Sequence, residues 1–200
     1  MILALTGTSV DGPLYQDVVD LAHRAPDRLD DVVTVWSTYG LAVFALLMVV
    51  GWWRARRVDA TAGLTALAVP VAVLVAFGAD AGLKALVRED RPCRGLPFHT
   101  LEACPAPGDW SFPSNHTAIA FAAAVALFFV SRRLGLLASG FAVAMAASRV
   151  WVGVHYPHDV LVGALAGGLV AALVMTVLRR RSRGLAERLA ETGLRPLLVS

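Results

Sequence analysis

The apolar residues of this chain fall into long blocks that contain almost no charged residues. Five blocks are close to the roughly 20 residues that a helix needs to cross a bilayer. Only helices can form these spans, because the hydrocarbon core offers no water to unpaired backbone groups. The pattern predicts an all-α fold, a polytopic membrane helix bundle with five transmembrane helices. The predicted spans are residues 32–53, 60–79, 110–131, 134–154 and 160–178.

The segments outside these blocks are more polar. Leu14, Val18 and Leu21 recur at helical spacing among aspartates, which predicts an N-terminal interfacial helix. Residues 80–109 are expected to form a loop, and residues 179–200 a tail with a short helix and a frayed end. We find no internal repeat and no second domain, so residues 1–200 are expected to form one domain.

Arginines cluster beside three of the block ends, and with five spans these clusters all fall on one side of the membrane. Basic residues are enriched on the cytoplasmic side of membrane proteins. The sequence therefore predicts a multi-pass protein of the cell membrane with a cytoplasmic C-terminal tail. The N-terminus and the 80–109 loop are then outside. The clusters lie in residues 54–57, 132–133 and 179–183.

Composition narrows the classes of protein further. Hydrophobic residues make up 57% of the chain and charged residues 16%, whereas soluble domains carry about 25% charged residues. An ordinary soluble domain, a disordered chain and a nucleic-acid-binding protein are excluded. The lipid bilayer is the expected environment, and the oligomeric state is left open.

Ionisable residues near the predicted outer ends of the spans form three patches. Charges this close to a membrane core are expensive and are functional candidates by default. Lys84, Arg91 and Arg149 supply concentrated positive charge, which suits a phosphate. Ser114 and Asn115 begin a predicted helix, whose free N–H groups also favour an anion. The patches therefore predict a site for an anionic phosphate group.

Two histidines add chemistry to this predicted phosphate site. His116 and His155 can transfer protons or attack phosphorus, and Asp159, four residues after His155, can fix its tautomer. No grouping of Asp, Glu and His in the sequence resembles a Mg²⁺ or Zn²⁺ site. We therefore expect hydrolysis of a phosphate ester with no metal and no cofactor.

The three patches match known motifs in order. Lys-x6-Arg-Pro from Lys84, Pro-Ser-x-His ending at His116 and Ser-Arg-x5-His-x3-Asp ending at Asp159 resemble the motifs of the type 2 phosphatidic acid phosphatase family. That family shares its site with the vanadium haloperoxidases. The size and the surrounding strings resemble in particular the bacterial undecaprenyl-diphosphatases linked to bacitracin resistance.

The resemblance implies a role for each matching residue. His155 is the implied nucleophile, which forms a phosphohistidine, and Asp159 orients it. His116 protonates the leaving group and then activates water. The remaining matches hold the phosphoryl oxygens. One position departs from the family, because Asn115 stands where many members have glycine, and this puts substrate choice in doubt. The phosphate-holding residues are Lys84, Arg91, Ser114, Asn115 and Arg149.

Several residues have simpler expected roles. Glu89 and its charged neighbours are expected to form a solvated rim, and His158 is expected to be a bystander. Cys93 and Cys104 lie in the predicted outer loop, where an oxidising exterior would allow a disulfide.

The predicted substrate is a membrane lipid phosphate, foremost a polyprenyl diphosphate such as undecaprenyl diphosphate. Phosphatidylglycerophosphate, phosphatidic acid and a phosphoprenyl sugar are the alternative substrates. A non-catalytic lipid-phosphate binder or a transporter is the alternative of another class, although no paired halves suggest transport.

Overall fold

The structure, a computed structural model, describes residues 10–95, 100–192 and 195–199. Within these ranges all regular structure is helical, so the predicted all-α fold is confirmed. The helices are α1 (Gly12–His23), α2 (Asp27–Tyr39), α3 (Leu41–Ala55), α4 (Ala60–Val87), α5 (Pro92–Gly95), α6 (Asn115–Phe128), α7 (Arg132–Trp151), α8 (Pro157–Ala190) and α9 (Arg195–Leu198).

Helix α6 lies at the centre of the bundle, where it packs against α4, α7 and α8. Most of its buried residues are alanines, and small side chains allow close helix packing. On α8, a Cβ atom at Gly163 would lie 2.7 Å from the carbonyl oxygen of Ser114. At Gly167 it would lie 2.2 Å from that of Ala118. These two glycines therefore set the start of α8 directly beside the start of α6.

Three helical segments are long and apolar enough to cross a membrane, namely Ala60–Gly95, Arg132–Trp151 and Pro157–Ser182. Helices α2 and α3 pass the same test only together and meet at an angle of 54°. Helix α6 is apolar but shorter. The predicted count of five therefore depends on treating the bent pair as one span and α6 as another.

The first predicted span, residues 32–53, is not one straight helix. The chain bends at Gly40, between α2 and α3. A Cβ atom there would lie 2.8 Å from Cε of Met145 on α7 and 2.5 Å from the carbonyl oxygen of Trp36. The bend thus falls where the backbone approaches α7 closely. A hydropathy pattern cannot predict such a contact between two helices.

Other predicted boundaries shift for a similar reason. Helix α4 extends to Val87, so the start of the predicted 80–109 loop is helical. Asp80 and Lys84 end the apolar block in sequence, but both side chains are buried and the helix continues past them. Residues 110–114 precede α6 as irregular chain. Helix α8 runs unbroken to Ala190, so the predicted separate tail helix is largely its continuation.

Helix α1 forms where the interfacial helix is predicted, but it is docked on the bundle. Tyr15 and Val19 are buried against Val150 and Tyr156, whereas Leu14 and Leu21 remain exposed. The apolar residues therefore divide into a docked face and an outer face. The outer face is exposed, and its position at the membrane surface stays a prediction.

Candidate active site

His155 and Asp159 lie on either side of Pro157, where α8 begins. Oδ2 of Asp159 accepts the backbone N–H of Tyr156 at 2.8 Å and lies 3.3 Å from Nδ1 of His155. An N–H at Nδ1 that donates to this carboxylate leaves Nε2 without a proton, so its lone pair can accept a hydrogen bond. Nη1 of Arg91 lies 3.2 Å from Nε2 and donates to it. The local geometry thus selects the tautomer that a nucleophilic Nε2 needs.

His155 is completely enclosed by protein. Burial lowers the pKa of His155 to about 3, although the hydrogen bond and charge of Asp159 oppose the shift. The imidazole is therefore neutral at physiological pH, and its lone pair is not masked by a proton.

Ser111 connects the two residues of this pair, and the sequence analysis missed it. Its hydroxyl donates to Oδ2 of Asp159 in a short hydrogen bond and lies 3.4 Å from Nδ1 of His155. Its backbone N–H donates to the carbonyl of Glu89 at 2.7 Å. The only sequence signal was its place three residues before Ser114, outside the Pro-Ser-x-His motif.

Arg91 is buried and makes a fork of contacts. Its Nε donates to the carbonyl of Asp109 at 2.9 Å, and its Nη2 pairs with Oδ1 of Asp109 at 2.9 Å. Nη1 also donates to the carbonyl of Val154 at 3.0 Å. Partial burial of Asp109 opposes the effect, but the hydrogen bond and charge of Arg91 lower the pKa of this carboxyl. Asp109 is therefore a charged partner of the predicted phosphate ligand.

Arg149 has a similar carboxylate partner from the same loop. Its Nη1 lies 2.9 Å from Oε2 of Glu102 and also donates to the hydroxyl of Ser37 on α2. Nothing in the local sequence indicates this pair, because Glu102 and Arg149 are 47 residues apart along the chain. Two phosphate-ligand candidates are thus each paired with a carboxylate of the segment 100–109.

Lys84 reaches the same site from α4. Its Nζ donates to the carbonyls of Trp110 and Ser111 at 2.6 Å and 3.3 Å. Helix α4 ends at Val87 and is followed by Arg88 in a left-handed conformation, so Lys84 and Arg91 do not lie on one continuous helix. Arg91 comes to the site from the turn that follows.

The second motif begins α6. The backbone N–H of Ser114 donates to the carbonyl of Asp159 at 3.1 Å, and its hydroxyl accepts from Thr117 rather than capping the helix. The first N–H groups of α6 therefore have no side-chain cap. Oδ1 of Asn115 is buried without a hydrogen-bond partner among the described residues. His116 follows and interacts electrostatically with the cations of the site.

Glu89 and His158 contact each other beside this site, although neither was expected to contribute to it. Glu89 is completely buried, which corrects its expected place in a solvated rim. His158 lies between Oδ1 of Asp11 at 2.8 Å and Oε1 of Glu89 at 3.1 Å. The ring of His158 also stacks on Phe112 and Tyr156.

Glu89, His158 and Asp159 also form a group whose potential metal-ligand atoms lie within 4.8 Å of one another. The sequence pattern did not indicate this group, because Glu89 is 69 residues from His158 along the chain. In the structure Glu89 and Asp11 take both ring nitrogens of His158. Oδ1 of Asp159 lies 3.5 Å from Nε2 of His158, the nitrogen that Glu89 holds, so the group is a histidine among three carboxylates.

The structure brings the predicted site residues of all three motifs to one end of the bundle. Cys93 and Cys104 form a disulfide beside it. The bridge connects the segment just after Arg91 to the segment between Glu102 and Asp109. The disulfide therefore holds the loop that contains Glu102 and Asp109 close to Arg91. Residues 96–99 of this loop lie outside the described residues.

The chain is similar to known lipid phosphatases. Residues 63–183 match the PAP2 superfamily. The chain is 32% identical to undecaprenyl-diphosphatase BcrC of Bacillus subtilis over 81% of this chain and 78% of that protein. It is 36% identical to decaprenylphosphoryl-5-phosphoribose phosphatase of Mycobacterium tuberculosis over 72% and 75%. The crystal structure of Aquifex aeolicus LpxE shares the fold, with a TM-score of 0.63, 24% identity and coverage of 82% and 93%.

Proposed function

The chain belongs to the PAP2 superfamily and is a membrane phosphatase, and on this premise we propose that it hydrolyses a polyprenyl diphosphate. The products would be the polyprenyl monophosphate and inorganic phosphate, with undecaprenyl diphosphate as the expected substrate. One observation carries the proposal. A neutral, buried His155 is oriented by Asp159 and lies in contact with Arg91, next to two further cations. The relationship to undecaprenyl-diphosphatase BcrC supports this substrate.

The proposed reaction has two displacements. Nε2 of His155 attacks the terminal phosphorus, and the bond to the bridging oxygen breaks as His116 gives that oxygen a proton. Water then attacks the phosphohistidine, His116 takes a proton from it, and the P–N bond breaks to release phosphate. Asp159 stabilises the positive charge that develops on His155 in the first step.

The cations supply electrostatic stabilisation. In the transition state of phosphoryl transfer, negative charge is spread over the three equatorial oxygens of the phosphoryl group. Lys84, Arg91 and Arg149 would hold these oxygens, together with the uncapped first N–H groups of α6. Arg91 contacts Nε2 directly at 3.2 Å. Its guanidinium must therefore turn from the nucleophile to the phosphate when the substrate enters.

The proposed site faces the outside of the cell. The arginine clusters lie at the opposite end of the bundle, which would be cytoplasmic. The disulfide beside the site is compatible with an oxidising exterior. The polyprenyl chain would stay in the bilayer while its diphosphate reaches the cations at the surface.

A second candidate substrate is a phosphoprenyl sugar. The 36% identity to decaprenylphosphoryl-5-phosphoribose phosphatase favours it. Both candidates present a terminal phosphate on a long polyprenyl lipid, and they differ in what links the two.

A substrate panel with the purified protein tests the proposal. Phosphate release should be fastest from undecaprenyl diphosphate, compared with a decaprenyl phosphoribose phosphate, phosphatidylglycerophosphate and phosphatidic acid at matched detergent dilution. His155→Asn should abolish release, whereas His23→Asn, an exposed histidine of α1, should not. Acid-labile, base-stable labelling of the wild type from terminally labelled substrate would support the phosphohistidine. Full turnover by His155→Asn would exclude it.

A further inference from the structure

A cavity lined by both apolar and polar side chains opens at the end of the bundle opposite His155. It has a volume of about 580 Å³ and lies between α3, α4, α8 and the turn that joins α6 to α7. Cavities of this size hold small-molecule groups. Its polar lining consists of Arg54, Thr61, Thr65, Ser131, Arg179 and Ser182, with Asp59.

The charge of this cavity favours an anion. Among the described residues, the guanidinium groups of Arg54 and Arg179 have neither a hydrogen bond nor an ion pair. In contrast, nearby Arg56 and Arg57 lie over tryptophan rings at 4.5 Å and 4.9 Å. The one carboxylate in the lining, Asp59, accepts the backbone N–H of Ala62 at 2.7 Å and so caps α4.

Two helices also begin at this cavity. Helix α4 contributes Thr61 from its first turn. Helix α7 contributes its N-cap Ser131, whose side chain makes no capping hydrogen bond. The first N–H groups of a helix and the positive end of its dipole attract anions. The uncapped start of α7 and two arginines without side-chain partners among the described residues therefore converge on the same space.

An apolar groove continues from this cavity along the outside of the bundle. It has a volume of about 290 Å³ and shares Thr65, Arg179 and Ser182 with the cavity. Its other lining residues come from α4 and α8 and are apolar: Leu64, Leu67, Ala68, Val71, Met175 and Leu178, with Leu185 beyond. A polar basic cavity joined to an apolar groove matches a charged head group joined to an acyl chain.

We propose that this cavity and groove bind one anionic phospholipid, with its phosphodiester at Arg54 and Arg179 and an acyl chain between α4 and α8. The arginine clusters at this end place the site in the cytoplasmic leaflet. Such a lipid is not a substrate for the proposed reaction, because phosphatidylglycerol carries neither a terminal phosphate nor a diphosphate. The proposal is therefore independent of the function assigned to His155.

Native mass spectrometry of the delipidated full-length protein tests this site. Dioleoyl phosphatidylglycerol should bind in a one-to-one complex at least about tenfold more tightly than dioleoyl phosphatidylcholine. Arg54→Gln and Arg179→Gln should each weaken phosphatidylglycerol binding about tenfold. Arg180→Gln, which removes the same charge from an exposed neighbour outside the cavity, should leave it unchanged. All variants should keep the wild-type rate of phosphate release, which also shows that they fold.

A groove variant and a free-anion control complete the test. Val71→Trp should fill the groove and weaken binding of the long-chain lipid, but not of a short-chain phosphatidylglycerol. Inorganic phosphate should compete only weakly, because it gains nothing from the groove. Equal binding of the two dioleoyl lipids, equal effects of Arg179→Gln and Arg180→Gln, or full competition by inorganic phosphate would each overturn the proposal.

Discussion

Replacing Glu102 by Gln should make the protein bind phosphate more tightly. Arg149 is nearly fully buried, and its Nη1 lies 2.9 Å from Oε2 of Glu102. A substrate phosphate that uses Arg149 must share or displace this carboxylate. Gln keeps the size and an acceptor oxygen for the guanidinium, so only the competing negative charge is removed.

The size of the effect follows from the charges involved. Two unit charges about 4 Å apart near a protein surface interact by about 4 kcal/mol. The Glu102 side chain is 28% exposed, so solvent screens part of this interaction. We expect phosphate binding to become more favourable by about 1–2 kcal/mol, which lowers the dissociation constant about five- to thirtyfold.

Inhibition of phosphate release by orthovanadate and by inorganic phosphate measures this change. Both inhibition constants should fall in Glu102→Gln, and slower release of product phosphate should limit kcat. Asp90→Asn is the matched control, because Asp90 is 74% exposed and its nearest cation is Arg94 at 3.8 Å. It removes the same charge from the same end of the molecule without touching Arg149.

A third variant tests whether Glu102 mainly competes with phosphate for Arg149 or mainly holds Arg149 in position. Glu102→Ala removes the hydrogen bond that holds Arg149 as well as the charge, so it should lower kcat more than Glu102→Gln. Unchanged or higher inhibition constants in Glu102→Gln would refute the view of Glu102 as a competitor of phosphate. An equal fall in Asp90→Asn would mean that only the overall charge of this end matters.

Three further predictions concern residues that position or surround His155 and Asp159. Ser111→Ala should lower kcat about tenfold with little change in KM, because Asp159 loses a hydrogen-bond donor, and Ser111→Thr should restore it. Between pH 6.5 and 3 the wild type should lose more unfolding free energy than His155→Asn, by roughly 1 kcal/mol per pH unit, measured by thermal unfolding in detergent. The low pKa of buried His155 means that only the unfolded chain takes up that proton in this window. Gly163→Ala should lower both Tm and activity because its Cβ meets backbone at 2.7 Å, whereas Gly168→Ala, with its nearest atom a side-chain carbon at 3.5 Å, should not.

The helical nature of the fold and the residues of the three motifs were predictable from the sequence. Long charge-free blocks have only one solution in a bilayer, and the motif residues carry costly charges at block ends. Boundaries were less predictable. The buried side chains of Asp80 and Lys84 end the apolar block, yet α4 continues through them. Hydropathy reflects the polarity of a residue. It does not show whether the residue's side chain is buried in the folded protein.

The partners of the motif residues were not predictable in the same way. Glu102, Asp109 and Ser111 reach the site from an irregular segment, and their contacts join residues far apart in sequence. Nothing in the local pattern distinguishes such a carboxylate from a solvated one. The close approach of Met145 on α7 to Gly40, at the bend between α2 and α3, likewise joins residues far apart in sequence.

The docking of α1 has a consequence for the order in which the molecule can be assembled. Tyr15 donates to the carbonyl of Gly153, and Asp11 accepts the backbone N–H of His158. The ribosome makes α1 long before either partner, so this helix has no docking site on the bundle through most of translation. A nascent chain interrupted before α8 contains His155 and Gly153 but lacks His158 and Asp159. The pairing of His155 with Asp159 and the full docking of α1 are therefore completed together, late in biosynthesis.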